Sequence, residues 1–316
     1  MSIAVIRTHD GWWAETPQGH VRVPTSATTT AELLADRAAV EAAASGEQPP
    51  TQLDGQELLS PVTAPCRVVA QMVNYRSHAR DSGFDPDKVP PTFFRKTSGS
   101  ITGPRATILR PEGVRLLDYE VEIGLVIGAP LPIGTVVTDA NLAEYVAGLV
   151  IADDVSARDL QLPKTQFYES KSYPTFTPLG PRLVLTGPAD LARWRELRLT
   201  LEVNGRPRQN MTAADMLTGP ARALTLLARF QTLDPGDVLL TGTPGGTALR
   251  SPGALAEKVG ALLPAHLKWK TFFRRQEANP AYLRDGDVVT ARVRTDDGLL
   301  DLGEQRTPVG SARSAR

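Results

Sequence analysis

Asp118, Glu120 and Glu122 stand in the stretch Leu117–Gly124, where acidic and apolar residues alternate. A period of two predicts a β-strand, with the three carboxylates on one face and Tyr119, Val121 and Ile123 on the other. Same-face neighbours on a strand lie roughly 6.5–7 Å apart, so Glu120 and Glu122 can converge on one small object. Like charges on one face repel unless something positive lies among them. Oxygen-only ligands suit a hard divalent cation, Mg²⁺ first, with Mn²⁺ or Ca²⁺ as alternatives. The competing reading is a solvated edge strand with its charges turned outward. Asp154 offers a third carboxylate, because the apolar run Tyr145–Ala152 reads as a buried strand that ends on Asp153-Asp154. One of these two aspartates could instead cap whatever follows.

A second group could move protons. His78 is one of four histidines, and Asp81 follows three residues later, on the same side if the segment is helical. A carboxylate on one ring nitrogen would leave the other as a base for water. Lys171 and Lys96 are cations beside small polar residues, with solvated lysines as the ordinary expectation. Thr241–Gly246 is a threonine- and glycine-rich turn whose backbone N–H groups could hold a carboxylate. No Walker loop, dinucleotide glycine fingerprint, nucleophile elbow or His/Cys zinc spacing occurs.

The elements that must position these residues fall into an α+β, strand-rich pattern. Residues 1–60 read as a small N-terminal α/β unit: short strands at Ile3–Thr8, Trp12–Thr16 and His20–Val23, then a helix with a Thr29/Glu32 capping box that closes near Gly46. From residue 61 to 306 the pattern is mostly β. It contains a hairpin at Asn204-Gly205, a helix over Ala221–Phe230 and a second hairpin around Thr295–Gly298. Residues 247–282 form an inserted, partly helical segment, with Ser251 and Pro252 as N-cap and N1 and Leu255, Val259, Leu262 and Leu263 at helical spacing. Residues 307–316 carry no pattern and read as a flexible tail.

Composition narrows the partners. In 316 residues, 35 basic side chains balance 35 acidic ones, which argues against nucleic acid and anionic membranes. The lone Cys66 fits a reducing compartment, and no apolar run approaches the roughly 20 residues needed to span a bilayer. A cytoplasmic soluble protein is the expectation.

These motifs, in this order from about Cys66 to Gly303, resemble the fumarylacetoacetate hydrolase (FAH) superfamily. Asp118–Gly124 is similar to that family's acidic strand, and Asp154-Val155-Ser156-Ala157-Arg158-Asp159 to its Asp-x-Ser-Ala-Arg-Asp motif. Lys171-Ser172, Val203-Asn204-Gly205 with Arg208-Gln209, Pro235-Gly236-Asp237 and Thr241–Gly246 also match. The resemblance implies a mixed β-sandwich roll with a small N-terminal α/β domain, a homodimer, and Mg²⁺ or Mn²⁺ held by Glu120, Glu122 and Asp154. It implies water activation by His78 with Asp81, added charge from Lys171, and substrate contacts from Tyr75, Lys96, Gly242 and Thr243. The implied reaction is hydrolysis of a C–C bond in an acylpyruvate or β-diketone, where a cation on the oxygen lowers the cost of a carbanion leaving group. Decarboxylation or keto–enol isomerisation of a 2-oxo acid is the second expectation, and a non-catalytic metal-binding protein the third. Arg158 is read as structural. Three positions depart from the family pattern: Met72 where glycine is common, Asp81 where glutamate is frequent, and Asp153 where asparagine is frequent. The segment 247–282 is longer than in many members and is expected to lie over the active site or a dimer partner.

Overall fold

A computed structural model describes residues 2–46, 48–164, 167–251 and 265–312. In chain order its strands are β1 (Ile3–Thr8), β2 (Gly11–Thr16), β3 (Gly19–Arg22), β4 (Val68–Met72), β5 (Thr92–Lys96), β6 (Ile101–Thr102), β7 (Ile108–Arg110), β8 (Leu117–Asp118) and β9 (Val121–Ile127). They continue as β10 (Val146–Asp153), β11 (Ser156–Ala157), β12 (Thr177–Leu185), β13 (Arg198–Val203), β14 (Arg206–Thr212), β15 (Val238–Leu240), β16 (Val288–Arg294) and β17 (Asp301–Ser311). The helices that bear on the site are α1 (Thr30–Ala35), α2 (Arg37–Ala44), α3 (Arg76–Asp81), α4 (Arg158–Lys164) and α5 (Ala265–Glu277).

The large sheet runs β3-β2-β1-β12-β10-β9-β15-β4-β5, and it curls so that β6, just beyond β5, pairs with β12. A second sheet, β14-β13-β16-β17-β7, packs across it. Strand alternation explains both cores. Val121, Ile123 and Leu125 of β9 and Leu149 and Ile151 of β10 meet Leu199, Leu201, Val289 and Ala291 between the sheets. The other face of the large sheet, with Val126, Ala70 and Leu240, packs on Leu33, Val40 and Ala43 of α1 and α2. The acidic strand is therefore central and wholly buried, and the solvated-edge reading does not hold.

The first 60 residues do not stand apart. β1 pairs antiparallel with β12 and extends the same sheet, so this stretch shares a sheet and a core with the rest. The Thr29/Glu32 capping box forms as expected, but the helix breaks at Asp36 into α1 and α2. The expected tail is corrected as well: β17 continues through residues 307–311, with Thr307 and Val309 buried. Buried Gln305, Thr307 and Val309 alternate with exposed Arg306 and half-buried Pro308, and the period is masked in the sequence because two of the buried residues are polar. The expected helix over Leu255–Leu263 lies outside the described residues.

The Pro235-Gly236-Asp237 turn locks β15 beside β4. Buried Asp237 accepts from the backbone N–H of Arg67 at 2.6 Å and of Asp234 at 2.8 Å, and from the Arg67 guanidinium at 2.8 Å. Asp237→Ala removes all three hydrogen bonds and leaves part-buried donors unmet. It is expected to lower stability by about 3 kcal/mol in urea denaturation.

Candidate metal centre and active site

Glu120 and Glu122 reach the cluster from the start of β9, and Asp154 follows the end of its neighbour β10. Antiparallel pairing sets Glu122 opposite Ala152 and Val121 opposite Asp153, so the three carboxylates meet at one end of the large sheet. One oxygen from each lies within 4.8 Å of the others, and all three residues are buried. Chain separation alone could not show this meeting; the strand register makes it.

Cations thread the cluster without neutralising it. Lys171 Nζ donates to Glu120 Oε2 at 2.6 Å and to Asp154 Oδ2 at 2.5 Å. Lys96 Nζ donates to Asp154 Oδ1 at 2.5 Å and to the Phe176 carbonyl at 2.8 Å. Arg158, at the start of α4, donates to Asp118 Oδ2 at 2.9 Å, to Gln161 at 2.8 Å and to Glu120 Oε1. Burial alone would raise the Glu120 pKa, but Arg158 and Lys171 outweigh it and hold the group well below the usual carboxylate range. Glu122 goes the other way: burial first, then the charges of Asp154 and Glu120, raise its pKa well above normal. Among the described residues its one direct donor is the Gly242 N–H at 2.7 Å. Asp153 is pushed up to about 7 by burial, and its Oδ2 has no partner.

A buried carboxylate that needs more positive charge than the protein supplies is a reason to expect a cation, and the oxygen-only donor set fits Mg²⁺, Mn²⁺ or Ca²⁺. Glu120, Glu122 and Asp154 would hold it.

The Thr241–Gly246 turn supports the cluster from behind. Gly242 has φ +81°, and a Cβ there would come within 2.8 Å of Asn74 Cβ. Only glycine lets its N–H point at Glu122. Three of the turn's N–H groups already have protein acceptors. Gly242 N–H goes to Glu122, Gly245 N–H to Ser77 Oγ at 2.9 Å, and Gly246 N–H to Asp81 Oδ2 at 2.9 Å. Thr243 donates its proton to the Val121 carbonyl at 3.0 Å and accepts from Gln209 Nε2 at 2.8 Å. Gln209, matched in sequence but given no role there, in turn accepts from Val121 N–H at 3.1 Å.

His78 sits on α3, whose entry is fixed from afar. Asn74 bonds Thr218 and Thr241, and Asp215 accepts from both the backbone N–H and the hydroxyl of Ser77. The chain enters this segment through Val73 at φ +50°, a backbone state that a β-branched residue adopts only when its surroundings impose it. Tyr75 is fully buried, and its pKa is raised by burial and by Glu122. His78 is 7% exposed, Nδ1 has no partner, and burial lowers its pKa. The charges acting on it come from Glu120, Arg158, Lys171 and Asp118, so the ring stands beside the carboxylate cluster. The expected His78–Asp81 contact is not made. Asp81 faces Gly246 instead, and its carbonyl accepts from Ser251 N–H at 2.9 Å.

Asp118 is the residue sequence reasoning undervalued. Besides Arg158, it accepts from the N–H groups of Tyr119 at 2.9 Å, Ala248 at 2.8 Å and Leu249 at 3.1 Å. It thereby ties the inserted segment to the guanidinium that grips Glu120. Its position on the acidic face was the available signal. Arg158→Met would strip both buried carboxylates of their shared partner. It is expected to lower stability by about 3–5 kcal/mol in chemical denaturation, more than the truncation of an exposed arginine does.

Residues 67–310 match the fumarylacetoacetate (FAA) hydrolase C-terminal domain. The Bos taurus protein "Oxaloacetate tautomerase FAHD2A, mitochondrial" is 36% identical over 203 residues, which are 63% of this chain and 63% of that protein. Among solved structures, a protein from Mycobacterium abscessus described as a probable 2-hydroxyhepta-2,4-diene-1,7-dioate isomerase is 30% identical. It superposes with a TM-score of 0.74, covering 98% of this chain and 99% of its own. The fumarylacetoacetate hydrolase of Exiguobacterium antarcticum is 27% identical with a TM-score of 0.69, covering 98% and 100%. With its acidic strand, its Asp-x-Ser-Ala-Arg-Asp motif and the sandwich that brings them together, this chain belongs to the FAH superfamily.

Proposed function

We propose that this protein is a divalent-cation-dependent enzyme that moves a proton between the keto and enol forms of a 2-oxo acid. The observation that carries the reading is the state of His78. It is buried beside the carboxylate cluster, burial lowers its pKa and so favours the neutral ring, and among the described residues no carboxylate is bonded to Nδ1. A lone neutral imidazole can take a proton from the carbon between two carbonyl groups and return it to oxygen. A cation bound by Glu120, Glu122 and Asp154 would polarise the substrate's oxygens. Lys171 and Lys96 hold Asp154, and Lys171 and Arg158 hold Glu120, so the donor oxygens are oriented in advance. The tautomerase name of the cattle relative is in keeping with this reading.

Hydrolytic C–C cleavage of an acylpyruvate is the second reading. The same neutral His78 can take a proton from water, but the partner that would orient it, Asp81, is committed to Gly246. Proton NMR in D₂O with Mg²⁺ separates the two. The proposal expects faster deuterium exchange at C3 of oxaloacetate and acetylpyruvate with no release of a second acid, and a loss of about 100-fold or more in His78→Ala. Acid release in step with substrate loss would establish hydrolysis instead. No acceleration of either process would end the enzymatic reading.

A further inference from the structure

Three half-buried apolar side chains stand beside the carboxylate cluster and take no part in the chemistry above: Met72, Phe94 and Phe167. Strand register places the first two. Phe94 pairs with Ala70, Ala70 with Leu240, and Leu240 with Gly124, so all four lie on one face of the large sheet. Two residues along, on the same face, come Met72 on β4 and Glu122 on β9. Between those strands stands Gly242, which sends its N–H to Glu122. The Phe94 ring lies with its centroid 5.2 Å from Lys171 Nζ, the ammonium that binds Glu120 and Asp154. Phe167 meets Phe94 edge-on at 5.2 Å, and its carbonyl accepts from Lys171 N–H at 3.0 Å.

We infer that Met72, Phe94 and Phe167 form an apolar wall that selects 2-oxo acids bearing a flat apolar group, such as an aryl or conjugated acyl group, on the side away from the cation-binding carboxylates. The two lysines that share this region are already engaged by acceptors of the protein itself. Lys96 is committed to Asp154 and Phe176, and Lys171 to Glu120 and Asp154. Met72, where the family pattern has glycine, adds a deformable side chain to the same wall. The selectivity rests on the proposed binding of a 2-oxo acid at the carboxylate cluster, but not on which reaction follows.

Binding is therefore the first test. Calorimetry on the Mg²⁺-loaded protein is expected to show benzoylformate binding at least about ten-fold more tightly than pyruvate, with the ratio falling toward one in Phe94→Ala and partly kept in Phe94→Leu. Kinetics should give the same order for benzoylpyruvate over acetylpyruvate and oxaloacetate, expressed in KM. A ratio near one in the native protein, or a ratio unchanged by Phe94→Ala, would overturn the wall. A native preference for oxaloacetate would overturn it as well. If the binding preference holds while no substrate turns over, the wall stands and the proposed reaction fails.

Discussion

Burial of carboxylates with too little positive charge around them is the constraint on which the site depends. Asp118, Glu120, Glu122, Asp153 and Asp154 are all buried, and the cations among them are Lys96, Lys171 and Arg158. Removing an ion from water costs several kcal/mol unless partners replace the hydration, so such a group is tolerated only inside a rigid and well-bonded frame. Glu120 and Asp154 have that frame in side-chain cations. Glu122 has, among the described residues, a single backbone N–H, and its raised pKa marks where the deficit lies.

The fold reads as the means of keeping this frame rigid. β9 and β10 are central strands, so their register cannot slip without turning an apolar face out of the intersheet core. Gly242 and Thr243 brace the acidic strand from the neighbouring turn, and that turn is bonded to α3 through Ser77 and Asp81. The helix that bears His78 and the three clustered carboxylates are thus parts of one hydrogen-bonded unit. Asp118 joins the inserted segment to the same unit through Arg158, which places both described ends of that segment, Ala248–Ser251 and Asn279–Leu283, beside the site.

Much of this was legible in the residues. The period of two in Leu117–Gly124 located the acidic strand, and the abrupt end of an apolar run on Asp153-Asp154 located the third carboxylate. Both signals are local. What stayed hidden depends on register and on competition for donors. Asp81 lies at the right spacing for His78, yet the Gly246 N–H is there to engage it, and spacing along one helix cannot report a donor from another element. Arg158 looked structural and is, but it also grips a metal-ligand candidate. The first 60 residues looked separate because they end in a stretch rich in Pro, Gln and Gly at 46–55, while β1 pairs with β12 across more than 170 residues of chain.

The central claim is that Glu120, Glu122 and Asp154 require a divalent cation to complete their charge balance. Isothermal titration of Mg²⁺ and Mn²⁺ into chelator-treated protein, repeated on Glu122→Gln, tests it most directly. One site per chain, with a loss of at least about ten-fold in affinity in the variant, is the expected result. Absence of binding by either ion, or equal binding by the variant, would contradict the account.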